Sequence, residues 1–168
     1  TTKPDRDNSY KNTITLSGGS VSGTVYGGYT TAATGTATDN TVNITGGSAA
    51  NVVGAQSAGD ATGNKVNVTG GSVGNITGSI STANTGNADG NTVTVGTNVT
   101  GSIFGGSSTG GAASGNEIVL GSGVNVTGNV TGGQGATATN DNRVTLEGNT
   151  TVGGIISVGS LAGTDNKL

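Results

Sequence analysis

Few residues in this chain have side chains that could act on a substrate. Beyond residues 1–11, the carboxylates are Asp39, Asp60, Asp89, Glu117, Asp141, Glu147 and Asp165. Glycoside cleavage needs such groups as a close pair. Asp39, Asp141 and Asp165 each stand one residue before an Asn that opens a recurring motif, so Asp141 and Asp165 fall on neighbouring repeats. Two carboxylates held that close could raise each other's pKa or share a Ca2+ ion. Asp also forms turns readily, which explains the same placement without a metal. The nonapeptide G-G-x-G-x-D-x-U-x of calcium-binding β-rolls is not matched, and the neighbouring oxygens are mostly those of neutral Asn and Thr. His and Cys are both absent, which removes the commonest general base, thiol chemistry, zinc ribbons and disulfides. The expectation is a protein without catalytic residues or cofactor.

Aromatic residues are the other candidates. Tyr26 and Phe104 hold equivalent places just before a Gly-Gly corner and alternate with Val25 and Ile103, so they should face outward, with Tyr29 close by. Rings on a polar wall suit sugar stacking or protein contact. Single exposed aromatics are also common without any role. One residue past each anchor Asn, Glu117, Arg143 and Lys167 follow one another on successive repeats, a cross-repeat ion pair that serves register and no binding site. The Thr13/Thr15 and Thr92/Thr94 pairs are of the kind that binds ice. Lys65, Glu117, Val119 and Arg143 interrupt that array.

The elements that must carry these residues repeat. Asn12, Asn40, Asn64, Asn91, Asn116, Asn142 and Asn166 are spaced by 28, 24, 27, 25, 26 and 24 residues. Two and four residues past each anchor lie apolar side chains: Ile14/Leu16, Val42/Ile44, Val66/Val68, Val93/Val95, Ile118/Leu120 and Val144/Leu146. Thr, Asn or Val stands between them, and Thr, Lys, Glu or Arg just before the first of each pair, which is the period of a strand with one buried face. A Gly-rich corner, a second short apolar alternation and another Gly corner follow. A variable Ala/Thr/Gly stretch then carries Ala37, Ala61, Ala88 or Ala138 shortly before the next Asn.

A hairpin meander would turn every 8–12 residues with no longer period. A superperiod near 26 residues, the mean of those spacings, instead makes each repeat one coil of a stack. The predicted fold is all-β: a parallel β-helix, or β-solenoid, right-handed by extension of the crossover rule, with about six coils starting near residues 12, 40, 64, 91, 116 and 142. Residues 1–11 form a polar leader or partial N-terminal cap, and 12–168 the repeat domain. The paired apolar residues become core columns. The seven Asn become a ladder, each amide bonding to the next coil, although Asn also merely tolerates a bend.

This pattern settles what composition leaves open. Leu, Ile, Val and Phe supply only 32 of 168 residues while Gly supplies 35, Thr 30 and Asn 19, and the net charge is −3. A flexible Gly/Ser/Thr tract has that composition too, but lacks a register. Dispersed basic residues and a pI near 4.5 argue against nucleic acid, and no apolar run approaches a membrane span.

The unit N-x-V-x-I-T-G-G-S-V-x-G-x-V-x-G-G, over residues 12–168, resembles repeats in the passenger regions of bacterial autotransporter-type adhesins and related exoproteins. The resemblance implies an extracellular location on the bacterial surface and a stalk-like or adhesive role. It also implies contact with a host-cell or matrix protein or glycan. Self-association through solenoid ends or walls is the alternative. Export signal and anchor would lie outside this segment, which is not itself expected to enter a membrane.

Overall fold

In the computed structural model, which describes residues 7–161 and 163–168, the chain is an all-β stack of about six coils joined by parallel pairing, with no helix among the described residues. The first wall contains the residues that follow each anchor. In register, Thr41–Ser57 pairs with Thr13–Tyr29 and Lys65–Val68, and Thr92–Val95, Glu117–Leu120 and Arg143–Leu146 continue the series. The second wall runs through the later parts of Thr13–Tyr29 and Thr41–Ser57, then Ser72–Ser81, Ile103–Ser108, Val130–Gln134 and Ile156–Gly159. In the first two coils the strand continues around the corner for 17 residues, with register irregularities near Gly19. There Gly19 and Gly47 adopt φ of 78° and 77°, a left-handed bend that a side chain at Cβ would strain.

The third side is short and begins earlier than the first anchor. Ser9–Tyr10 pairs in parallel with Ala37–Thr38, which pairs with Ala61–Thr62. The stack therefore includes part of the expected leader; residues 1–6 lie outside the described residues.

Inside, each apolar side chain sits on its equivalent one coil away. Val42, Val66, Val93, Ile118 and Val144 form one column, and Ile44, Val68, Val95 and Leu120 the next. Two more columns come from the corner and second wall: Val73, Val99 and Val126, and Val52, Ile76, Ile103 and Val130. All of these are essentially inaccessible to solvent. A coil spacing of about 4.8 Å keeps branched side chains in van der Waals contact along the axis, so a narrow core is dry with few large residues.

Three expected core residues differ. Ile14 is 39% exposed, and Leu16 and Leu146 are only half-buried. They belong to the first and last coils, where a column is covered on one side only. A column of small residues lies three positions before each anchor. Ala37, Ala61, Ala88 and Ala113 are fully buried, but in the next coil Thr139 takes the place and Ala138 is partly exposed. Thr139 fits because its Oγ1 both donates to Leu161 O (3.0 Å) and accepts from Leu161 N (3.2 Å).

Candidate functional site

The anchor residues form the ladder. In each step the backbone N–H of one Asn donates to Oδ1 of the Asn in the next coil: Asn12 to Asn40 at 3.1 Å, Asn40 to Asn64 at 2.9 Å, Asn64 to Asn91 at 2.9 Å. The series continues from Asn91 to Asn116 (3.0 Å), Asn116 to Asn142 (3.0 Å) and Asn142 to Asn166 (2.9 Å). From Asn12 to Asn116, Nδ2 donates to the same oxygen, and Nδ2 also reaches a backbone carbonyl from Asn40 (Ser9 O, 3.1 Å), Asn64 (Ala37 O, 2.9 Å) and Asn91 (Ala61 O, 3.4 Å), while Asn142 Nδ2 donates to Ala113 O (3.0 Å). The carbonyl of each anchor accepts from the residue after the next one, as in Arg143 N to Asn116 O (2.8 Å). Only an amide of this length supplies both a doubly accepting oxygen and two donors. Asn40, Asn64, Asn91, Asn116 and Asn142 are fully buried, and no buried side-chain polar atom among the described residues lacks a partner.

Glycine makes room for this ladder. Gly54, Gly78, Gly105 and Gly132 lie against Asn64, Asn91, Asn116 and Asn142, and a Cβ on Gly105 would collide with the Gly132 carbonyl oxygen and sit 2.9 Å from Asn116 Cβ. Close approach, more than turning, fixes these corner glycines.

The acidic candidates resolve into backbone roles. The residue before each anchor is left-handed throughout: Lys11 (φ 52°), Asp39 (56°), Gly63 (66°), Gly90 (65°), Gly115 (64°), Asp141 (54°) and Asp165 (57°). Asp141 and Asp165 thus occupy a bend position that Gly shares, the turn role read from sequence. No group of three or more Asp or Glu capable of holding a metal forms among the described residues. Asp60 Oδ1 accepts from Asn87 N (2.8 Å), and Asp89 Oδ1 from Ser114 N (2.7 Å). Burial raises the Asp89 carboxyl above its ordinary range; the Ser114 N–H opposes that shift and the nearby Asp60 charge adds to it. Glu117 and Arg143 are in register at 3.9 Å, and both are well exposed. Lys167 bridges to Arg143 on the following turn. A depression of about 480 Å3 is lined by Arg143, Thr145, Leu146, Lys167 and Leu168.

Tyr26, Tyr29 and Phe104 share the second wall, whereas Tyr10 lies on the third side. Tyr26, Val53, Thr77, Phe104, Thr131 and Ser157 form one column, and Tyr29, Gln56, Ile80, Ser107 and Gln134 a second beside it. Tyr26 and Tyr29 meet edge to face, with centroids 5.1 Å apart and planes at 61°. Tyr29 is 52% exposed, while Tyr26 and Phe104 are half-buried. A third column, on the other side of the Tyr26 column, includes Asn51 and Asn75, joined at 3.0 Å. Sequence reading found the three rings but missed Val53, Ile80 and the amide columns. Aligning the repeats on the second wall rather than on the anchor Asn would have exposed them. Comparison of the chain with protein-family models, with curated proteins and with solved structures returned no match.

Proposed function

We propose that this chain is a non-enzymatic structural segment of a secreted bacterial surface protein, a rod that projects from the cell and presents its walls for adhesion. The observation that carries this reading is the use made of its polar side chains. The buried amides bond to the next coil, and Asp60, Asp89, Ser102 and Asn129 accept backbone N–H groups of the coil beyond. What those bonds serve is axial rigidity, the property a projecting element needs. The resemblance of the repeat unit to autotransporter passenger repeats supports the same placement. The test is antibody labelling of intact cells of the source bacterium with serum raised against the purified chain. Labelling without permeabilisation is expected; labelling only after permeabilisation overturns the reading. Turnover of a polysaccharide by the chain, lost in Asp141→Asn with Asp165→Asn, would overturn the non-enzymatic part.

A second reading, self-association end to end, is favoured by the polarity of the ladder. Every rung donates from the earlier coil and accepts on the later one, so two copies can continue it only head to tail. Ile14 is exposed at one end and Leu168 at the other. Scattering that rises with concentration for the parent chain and stays flat for Ile14→Lys supports it. Identical behaviour of the two removes it.

A further inference from the structure

The charges of this protein are segregated. Lys65, Glu117 and Arg143 stand on the first wall, and Asp39, Asp60, Asp89 and Asp141 near the bends that precede it. The second wall carries none: residues 12–38, 40–59, 66–88, 90–116, 118–140 and 148–164 contain no Asp, Glu, Lys or Arg. Its outward face instead offers rings, amides and hydroxyls at one-coil intervals. Tyr26 and Phe104 lie in the same column three coils apart, about 14 Å at the usual strand spacing. Val53 and Thr77 separate them within the column, and Gln56 and Gln134 stand in the column alongside.

From this juxtaposition we infer that the second wall binds a neutral, extended oligosaccharide lying along the solenoid axis, with sugar rings stacked over Tyr26 and Phe104. The apolar face of a pyranose ring packs on an aromatic face, and its hydroxyls pair with neutral amides and hydroxyls such as those of Gln56, Thr77 and Gln134. An anionic polysaccharide or a charged peptide finds no counter-charge on this wall, so complementarity selects an uncharged chain. The side of Tyr29 that remains exposed extends the platform at the Tyr26 end. This identifies a ligand class for the presenting role proposed above, and it stands or falls by binding, whereas that role is decided by where the chain resides on the cell.

The whole purified chain is tested by affinity electrophoresis and calorimetry against linear neutral glucan and mannan oligosaccharides, polygalacturonate and a sulfated glycan, each in low and high salt. At least one neutral oligosaccharide is expected to bind with an affinity insensitive to salt. Tyr26→Ala and Phe104→Ala should each weaken it about tenfold, the scale of one lost stacking contact. Thr77→Lys, which adds charge without touching the core, should do the same, and Tyr29→Ala provides an exposed substitution that leaves the fold intact. Tyr10→Ala on the third side should leave binding unchanged. Retention of none of the neutral glycans by folded protein overturns the inference. So does retention of charged glycans alone, binding indifferent to the wall variants, or a wall engaged by a second copy of the chain.

Discussion

Asn116 Oδ1 accepts two hydrogen bonds from Asn91, one from its backbone N at 3.0 Å and one from its Nδ2 at 2.8 Å. The same arrangement joins Asn91 to Asn64 below it, so each amide is acceptor for one coil and donor to the next. Removing one amide therefore harms two neighbours. Asn91→Ala leaves the Asn64 donors buried and unpaired, at about 1–3 kcal/mol for each unsatisfied group. A lowered urea midpoint with an unchanged m-value is the expected record. An unchanged midpoint would mean that water satisfies the gap.

Asn91→Asp adds a pH signature. A carboxylate cannot donate to Asn116 Oδ1 and would be buried with its charge, so its folded-state pKa must lie above the unfolded value. Below the unfolded pKa the acid is protonated in both states and can donate. Stability is then lost as pH rises from about 4 through the raised folded pKa. Urea titrations from acid to neutral pH should show the variant closest to the parent at the acidic end.

Asp89 shows the same sign in the native chain. Burial holds its folded-state pKa up, so its ionised form costs stability above the unfolded pKa and the cost vanishes on acidification. Asp89→Asn keeps an oxygen for the Ser114 N–H, so it should stabilise slightly at neutral pH and not at acidic pH. The gain is expected to stay below about 1 kcal/mol because the group is partly solvated. A loss of stability at neutral pH would show that the Ser114 bond needs the full carboxylate charge.

Two glycines separate close packing from backbone freedom. Gly90 has φ of 65° with open space where a Cβ would stand, so Gly90→Ala should cost only the left-handed penalty of about 1–2 kcal/mol. Gly105→Ala must also push the Gly132 carbonyl away from the ladder, and should cost more than Gly90→Ala. Asp141→Gly, at the column position of Gly90, should hold or raise stability, and Asp141→Val should lower it. Thermal melts of the four variants give the order directly.

Position within the stack decides the worth of a core residue. Ile118→Ala should cost about 2–5 kcal/mol, since its column is covered on both sides. Ile14→Ala, in the same column at the first coil, should cost much less. Equal losses would mean that the first coil is covered in solution.

Much of the fold could be read from the chain because stacking turns a linear repeat into columns. Asn12 to Asn166 are legible as a ladder, and the Val and Ile pairs as a core, since equal spacing along the chain becomes contact along the axis. The direction of the ladder was not legible. It depends on which face of each amide meets the next coil. The small-residue slot was legible by counting, since it lies three residues before every anchor, at Ala37, Ala61, Ala88 and Ala113, and the same count before Asn142 reaches Thr139 and not Ala138. The aromatic wall fell between these cases: the alternation with Val25 and Ile103 points Tyr26 and Phe104 outward, but only sheet register sets them in one column with Val53 and Thr77 between.

By itself, then, the sequence determined periodicity, strand character and the identity of the repeating contacts, because each of these is a local property multiplied by repetition. The tertiary structure alone decided how far each contact is buried and what lies beside it. Ile14 and Ile118 share one motif position, yet one is 39% exposed and the other fully covered, because burial belongs to the neighbouring coils and not to the residue.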